Sequence, residues 1–284
     1  AQPYHDLNEG PYNLMHGRAL LGLAAIEQLD VAGADEHFRA GLRAARRGAG
    51  RHSSAAMLAG SILGELLYER GELDEAERLL DDGYALGSEG GVVDFKISRY
   101  VVGARLKAVR GDRDAVVSRL ADGGRAAAVM DLERLAAVVE NERVRLGLGP
   151  LPGVAPPPPV SYGTRPRPDH GTAAWTAQFE EATAIRLLLA DPTPENTELA
   201  CRWAGEWVQL LRGSRRERRL LRAERLEVAC LAAAGRHEEA VTLLASVAAR
   251  CERAGLHRFL PDGGPLVLDV ARRLADELTA GRGR

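Results

Sequence analysis

The strongest constraint on the fold is a pair of helical segments joined by a glycine turn, seen most clearly at residues 63–80. Gly64 lies in the first segment and Ala76 in the second, so each has a small residue where two helices would touch. Gly71 stands between them, and glycine ends a helix at no steric cost because it adopts a left-handed backbone freely. The pattern predicts a hairpin of two closely packed helices.

The same pattern recurs about every 40 residues along the chain. Its other copies centre on Gly22 with Ala34, Gly111 with Val116, and Gly235 with Ala240. The spacing is similar to that of the tetratricopeptide repeat, whose usual period of about 34 residues is shorter by a turn or two of helix. Four copies in register predict an all-α fold, a tetratricopeptide-like helical-hairpin superhelix (α-solenoid), which grows by stacking units.

Proline content divides this array into two halves. Residues 1–12 are predicted to be an irregular lead-in, and Asn13 to cap the first helix of the N-terminal helical repeats, 13–147. Residues 148–171 are predicted to form a proline-rich linker or surface loop, because proline lacks an amide donor and favours extended geometry. Helical repeats resume over 172–279, and 280–284 form a tail. We interpret the proline-rich stretch as a spacer; a partner-binding proline motif is the alternative.

Composition favours a cytoplasmic, non-membrane protein. The net charge of −2 argues against direct nucleic-acid binding as the main role of the chain. Cys201, Cys230 and Cys251 are widely spaced, which predicts buried free thiols rather than disulfides or a zinc site. No apolar run is long enough for a membrane span, and no signal peptide is present. Because the sequence opens with Ala1, we expect a fragment of a larger protein.

Motifs for catalysis are missing from the sequence, so we predict no enzyme activity, no cofactor and no metal. There is no phosphate-cradling P-loop, and Asp94-Phe95-Lys96 lacks the glycine of a kinase Asp-Phe-Gly motif. His237-Glu238 is not followed by the second histidine of a zinc-protease helix. His16 and His37 share the first hairpin, but two ligands make a poor metal site.

Arginine dominates the basic residues, since only Lys96 and Lys107 are lysine among 38 basic side chains. We interpret this bias as a GC-rich coding sequence, with arginine-mediated recognition as the lesser alternative. The basic run 212–219 is interpreted as a solvated turn, with a phosphate or acidic-partner contact as the alternative. Trp203 and Trp207 share a helix face and are predicted to pack in the core rather than stack on a ligand.

A family resemblance accompanies these patterns. The hairpins, and especially the stretch Ala-Gly-Leu-His-Arg-Phe-Leu-Pro-Asp-Gly-Gly-Pro at 254–265, resemble the repeat domain of maltose-regulator-type (MalT-like) proteins. Those proteins are LuxR-family transcription activators of the signal-transduction ATPase class. Residues 89–96, 140–147 and 180–190 are similar to actinobacterial members, including the C-terminal region of serine/threonine protein kinase K. The chain departs from the repeat pattern at Val116, where a small residue is usual, and at its proline-rich insertion.

The resemblance implies a sensor and scaffold domain within a multidomain transcription regulator or regulatory kinase. Its partners would be an effector, either a small molecule or a regulatory protein, and the attached ATPase, kinase and DNA-binding modules. A pure protein–protein interaction module, docking another chain or its own ATPase domain, is the alternative. The resemblance implies that the repeat domain receives the signal and relays it to the attached modules.

Stacked hairpins leave their first helices lining a concave surface, where polar residues are not needed to hold the fold. Aligning the turn glycines predicts the ligand-binding residues on that surface. They are His16, Glu65, Tyr68, Arg105, Asn141, Gln178, Glu181, Arg222 and Arg225. The three arginines in this set would grip an anionic group through paired hydrogen bonds. The alternative is an ordinary solvated or salt-bridged helix face.

Overall fold

The computed structural model describes residues 10–149, 167–168 and 170–282. These residues form twelve helices and no β-strand, which confirms the predicted all-α helical-hairpin repeat. The helices are α1 (Pro11–Glu27), α2 (Val31–Ala49), α3 (Ser54–Arg70), α4 (Leu73–Tyr84), α5 (93–110), α6 (Arg113–Val129), α7 (Glu133–Arg145), α8 (Gly171–Ala190), α9 (Pro194–Leu211), α10 (Glu217–Ala233), α11 (His237–Ala254) and α12 (Pro265–Arg282). Consecutive helices pair as hairpins, and a short 3₁₀ turn, Pro261–Gly263, precedes α12.

The chain divides into two compact units, the first ending at Val139 and the second beginning at Glu140. The division lies within α7, before the predicted linker. Most of that linker, residues 150–166 and 169, lies outside the described residues, as do residues 1–9 and 283–284 of the predicted lead-in and tail. The spacer role of the proline-rich stretch therefore stays a prediction. Helix α1 begins two residues before Asn13, and α12 continues into the predicted tail.

The hairpin of α3 and α4 has the predicted construction. Gly71 ends α3 with a left-handed backbone, at φ 85°. A Cβ atom on Gly64 would lie 2.9 Å from Leu80 Cγ and 3.3 Å from the Ala76 carbonyl oxygen. The small residues therefore mark the line along which the two helices touch, because any larger side chain there would force them apart.

The first hairpin turns at a residue that the sequence pattern did not single out. Leu29, rather than a glycine, takes the left-handed conformation, at φ 61°. Asp30 follows as the N-cap of α2, and its carboxylate accepts a hydrogen bond of 2.9 Å from the Gly33 amide. Gly33 lies inside the first turn of α2. Leu29 thus occupies the place that Gly71 has in the next hairpin.

Helix α5 is irregular in its middle. It begins as Val93–Lys96, widens into a π-helical segment at Ile97–Val102, and returns to α-helix at Gly103–Arg110. Val116, where the repeat pattern is broken, is only 3% exposed on α6 and does not interrupt that helix. The departure from regular α-helix therefore lies in α5 and not at Val116. π-Helical turns occur often at functional sites.

The second unit contains all three tryptophans. Trp203 and Trp207 are 4% and 2% exposed on α9, which confirms their predicted packing between helices. All three cysteines are buried and free, also as predicted. Among the described residues, no helix has the length and apolar content needed to cross a membrane.

Candidate functional site

The predicted ligand-binding residues fall into the two units. His16, Glu65, Tyr68 and Arg105 belong to the first unit, and Asn141, Gln178, Glu181, Arg222 and Arg225 to the second. Each set is described by itself below. Whether either set binds a ligand stays a prediction.

In the first unit, helices α1 and α3 both contact α5 through predicted residues. The His16 ring lies edge-on to the Phe95 ring, with centroids 5.5 Å apart. Glu65 accepts a hydrogen bond of 2.6 Å from the Ser98 hydroxyl. Tyr68 is fully buried and so does not line an open surface, whereas Arg105 is half-buried on α5. The hairpin packing therefore brings first helices together but covers one of the four predicted side chains.

In the second unit, Gln178 and Asn141 join helices. Gln178 on α8 accepts a hydrogen bond of 2.7 Å from Arg219 Nε and donates one of 3.2 Å to the Arg219 carbonyl. The Asn141 amide on α7 lies 3.3 Å from the Thr183 hydroxyl of α8. Both predicted residues are less than a tenth exposed. Their polar groups hold α7, α8 and α10 together.

Glu181 is the most enclosed of the predicted acidic residues. Its carboxylate accepts hydrogen bonds of 2.7 Å from Trp207 Nε1 and 2.8 Å from Arg167 Nε. Arg167 also pairs with Glu206, at 2.5 Å. Burial raises the pKa of Glu181, and the Arg167 guanidinium opposes part of that rise. The end of the proline-rich stretch is thus fixed to α8 and α9 by one arginine, which the sequence analysis had not singled out.

Arg222 and Arg225 lie half-buried on α10, each beside an aromatic ring. The Arg225 guanidinium stands 4.4 Å over the Phe259 ring and donates a hydrogen bond to the Phe259 carbonyl. Arg222 lies 5.8 Å from the Phe179 ring. Such cation–π contacts hold a guanidinium in a fixed position. This part of α10 is the most cationic section of the predicted surface in the second unit.

The basic run at 212–219 is partly a structural element. Arg218 and Arg219 are 4% and 1% exposed on α10, so the interpretation of the whole run as a solvated turn was wrong for these two. Arg219 Nη2 donates a hydrogen bond of 3.0 Å to the Ala174 carbonyl of α8. Arg212 and Arg215 are exposed, as the solvated-turn interpretation expects.

The sequence analysis missed two buried cations on α5. Lys96 is 1% exposed and Arg99 is fully buried. The sequence carried one signal, because Lys96 is one of two lysines and stands three residues from Arg99, on the same helix face. Among the described residues, no cluster of three or more histidine, cysteine or acidic side chains has the arrangement to hold a metal ion.

Comparison with known proteins gives one kind of relative. The chain is 43% identical over 264 residues, 93% of its length, to serine/threonine-protein kinase PknK of Mycobacterium tuberculosis, in two strains, and of Mycobacterium bovis. The chain spans 23% of the length of these relatives. No family model matches the chain. This protein is therefore similar to a minor part of a large protein kinase.

Proposed function

We propose that this chain is a non-catalytic sensor and scaffold domain of a multidomain bacterial regulator, either a regulatory kinase or a transcription regulator. One observation carries the proposal. Nearly the whole chain matches proteins named as serine/threonine kinases, yet it accounts for only 23% of their length. The sequence lacks the His-Arg-Asp and Asp-Phe-Gly motifs of a kinase, so we assign phosphoryl transfer to another part of such a protein.

The proposed effector surface is the face of the first helices. Each unit has such a face of its own, with Arg105 half-buried in the first unit and Arg222 and Arg225 half-buried in the second. Guanidinium groups suit carboxylate or phosphate groups on a ligand. In the second unit, the rings of Phe179 and Phe259 lie beside two of these guanidiniums. We propose that an anionic effector binds this face in the cytoplasm and that attached kinase, ATPase or DNA-binding modules receive the signal.

A thermal-shift screen against metabolites tests the effector proposal. An effector at about 100 times its Kd stabilises the folded state by about 2.7 kcal/mol, which raises the melting temperature by several degrees. The shift should be lost in Arg222→Ala and Arg225→Ala and kept in Arg212→Ala, because Arg212 is exposed outside the proposed surface. An equal shift in all three variants would place the effector elsewhere.

A protein-docking module is the second candidate. It is favoured by the burial of Asn141, Gln178 and Glu181, whose polar groups already bond to neighbouring helices. Fewer polar groups are then left for a small ligand. A negative metabolite screen, together with capture of a purified kinase or ATPase module by the folded chain, would support docking. Capture that persists unchanged in Arg222→Ala and Arg225→Ala would exclude this face as the docking surface.

A further inference from the structure

Two cations are buried side by side on α5, under the segment that joins α4 to α5. Lys96 Nζ donates hydrogen bonds to the carbonyls of Gly90, at 2.8 Å, and Gly91, at 3.4 Å. Arg99 Nη2 donates one of 3.0 Å to the carbonyl of Glu89. The Nε and Nη1 atoms of Arg99 are buried and have no acceptor within hydrogen-bonding distance. The buried Arg99 guanidinium therefore donates hydrogen bonds from only some of its N–H groups.

No carboxylate balances these charges. Neither Lys96 nor Arg99 forms a salt bridge with any described acidic residue. Two acidic groups on and beside α5 have other partners, since Asp94 pairs with Arg134 at 2.6 Å and Glu65 accepts a hydrogen bond from the Ser98 hydroxyl. Burial lowers the pKa of Lys96, and the Arg99 charge lowers it further.

A buried and a partly buried cation of the first unit, Arg119 and Lys107, differ in this respect. Arg119 pairs with Asp81, and Lys107 lies 2.7 Å from Glu77 and 2.9 Å from Asp81. Removing water from a cation costs free energy that an opposite charge normally offsets. Lys96 receives only neutral carbonyl groups in exchange, and Arg99 receives one carbonyl and the Tyr100 ring, whose centroid lies 5.3 Å from its guanidinium.

Hairpin packing does not explain the two charges. A Cβ atom on Gly83 of α4 would lie 3.1 Å from Ser61 Cβ, and one on Gly123 of α6 would lie 3.0 Å from Tyr100 Cβ. In each hairpin, a glycine of the second helix approaches the Cβ atom of one residue on the first helix. Tyr100 therefore occupies the position in its hairpin that Ser61 occupies in the preceding hairpin. Arg99 then corresponds to Gly60, and Lys96 to Met57. Because the preceding hairpin packs with neutral residues at both positions, the repeat itself requires no cation there.

We propose that Lys96 and Arg99 form a binding site for an oxyanion, the phosphate or carboxylate group of a small ligand. The ligand oxygens replace the carbonyls of Glu89, Gly90 and Gly91 and bind the unused donors of Arg99. An ammonium beside a forked guanidinium is suited to such a group. The π-helical turn begins at Ile97, directly after Lys96, and widens the helix at the site.

Residues 87–91, which cover Lys96 and Arg99, are rich in glycine and can change their backbone conformation. Residues 87–90 are exposed, and Gly87, Gly90 and Gly91 all have positive φ angles, at 63°, 66° and 74°. Glycine moves between left- and right-handed conformations more easily than any other residue. These glycines give the segment the backbone freedom to withdraw its carbonyls from the two cations. This site lies in the first unit and is independent of the proposed effector surface around Arg222 and Arg225.

The test is thermal unfolding of the purified chain in sodium phosphate, sodium acetate and sodium chloride at equal ionic strength. Lys96→Met and Arg99→Met remove the site, and Arg113→Gln on α6 removes an exposed charge as the control. Phosphate also stabilises proteins by exclusion from their surfaces, so the difference between variants is the readout. We expect a saturable rise of several degrees in the wild type and in Arg113→Gln, with phosphate or acetate, and none in the two methionine variants.

Amide hydrogen exchange provides a second measurement that does not depend on the variants folding. Saturating phosphate or acetate should change the exchange rates of amides 88–92 in the wild-type chain at least threefold, while those of α9 stay constant. Equal exchange with and without both anions would overturn the site. So would a saturable shift that persists in Lys96→Met and Arg99→Met, because the anion would then bind elsewhere.

Discussion

Arg99 in the first unit and Arg219 in the second are alike in burial and opposite in surroundings. Both guanidiniums are almost fully buried on first helices of hairpins, at 0% and 1% exposure. Arg219 bonds to the Gln178 side chain and the Ala174 carbonyl and lies 5.2 Å from the Trp175 ring. Arg99 likewise lies 5.3 Å from a ring, that of Tyr100, but its guanidinium bonds to one carbonyl of an exposed segment, and burial lowers its pKa.

This difference shows that burial alone does not separate a structural cation from a binding cation. Arg219 bridges two helices, so its hydrogen bonds contribute to the packing of α8 against α10. Arg99 bonds to a segment outside the helical packing. The acceptors of a buried guanidinium, rather than its exposure, indicate its role.

The largest expected effect is at Arg219. Arg219→Met should lower the free energy of unfolding by about 2–5 kcal/mol, because it leaves the buried side-chain oxygen of Gln178 without its donor and removes the bond to the Ala174 carbonyl. Urea unfolding followed by tryptophan fluorescence measures this, since all three tryptophans belong to the second unit. A loss under about 1 kcal/mol would show that the contrast with Arg99 does not hold.

Arg99→Met should act in the opposite direction. Replacing a buried, unbalanced charge with an apolar side chain of similar length should leave stability unchanged or raise it by about 1–4 kcal/mol. Circular dichroism during urea unfolding follows the helices of both units. Tryptophan fluorescence, which reports the second unit alone, should keep its wild-type midpoint. A loss comparable to that of Arg219→Met would make Arg99 a structural residue.

Glu181 extends the comparison of buried charged residues from arginines to a carboxylate. Its pKa is raised by burial, so the stability that it contributes is fully present below its unfolded pKa of about 4.3 and is lost as the pH rises through the folded value. The wild type should therefore lose stability relative to Glu181→Gln as the pH rises above about 4.3. The effect should be smaller than at Arg219, because the ionised carboxylate keeps Arg167 as a partner. A pH-independent difference between the two proteins would contradict the raised pKa.

The smallest expected effects are those of removing one helix N-cap in each unit, and they serve as a control for the arginine variants. Ser53 caps α3 through a bond of 3.2 Å to the Ala56 amide, and Thr193 caps α9 through one of 3.1 Å to the Asn196 amide. Ser53→Ala and Thr193→Ala should each cost about 1 kcal/mol in urea unfolding. Unequal costs would indicate that losing one similar hydrogen bond has different effects in the two units, and the comparison of Arg99 with Arg219 would need correction for that difference.

The hairpins could be predicted from the sequence because their causes are local. Gly71 at the turn and Gly64 at the contact line follow from backbone conformation and side-chain size alone. The burial of Arg99 and Arg219 could not be predicted, because it depends on which helix or segment covers each arginine. The enclosure of Glu181 likewise depends on Arg167, which is distant in sequence and comes from the proline-rich stretch. Charged residues therefore mark the limit of pattern-based prediction in this protein.

Leu29 carries a consequence for how such domains diverge. A leucine holds the left-handed turn at φ 61° where Gly71, Gly111 and Gly235 hold it in other hairpins. The left-handed conformation costs a side chain such as leucine about 1–2 kcal/mol, which the packing of α1 against α2 must offset. What these hairpins share is therefore a positive φ angle at the turn, and the amino acid that adopts it can differ from one hairpin to another. A sequence profile that weights glycine at the turn will score such a copy poorly, while its backbone stays the same.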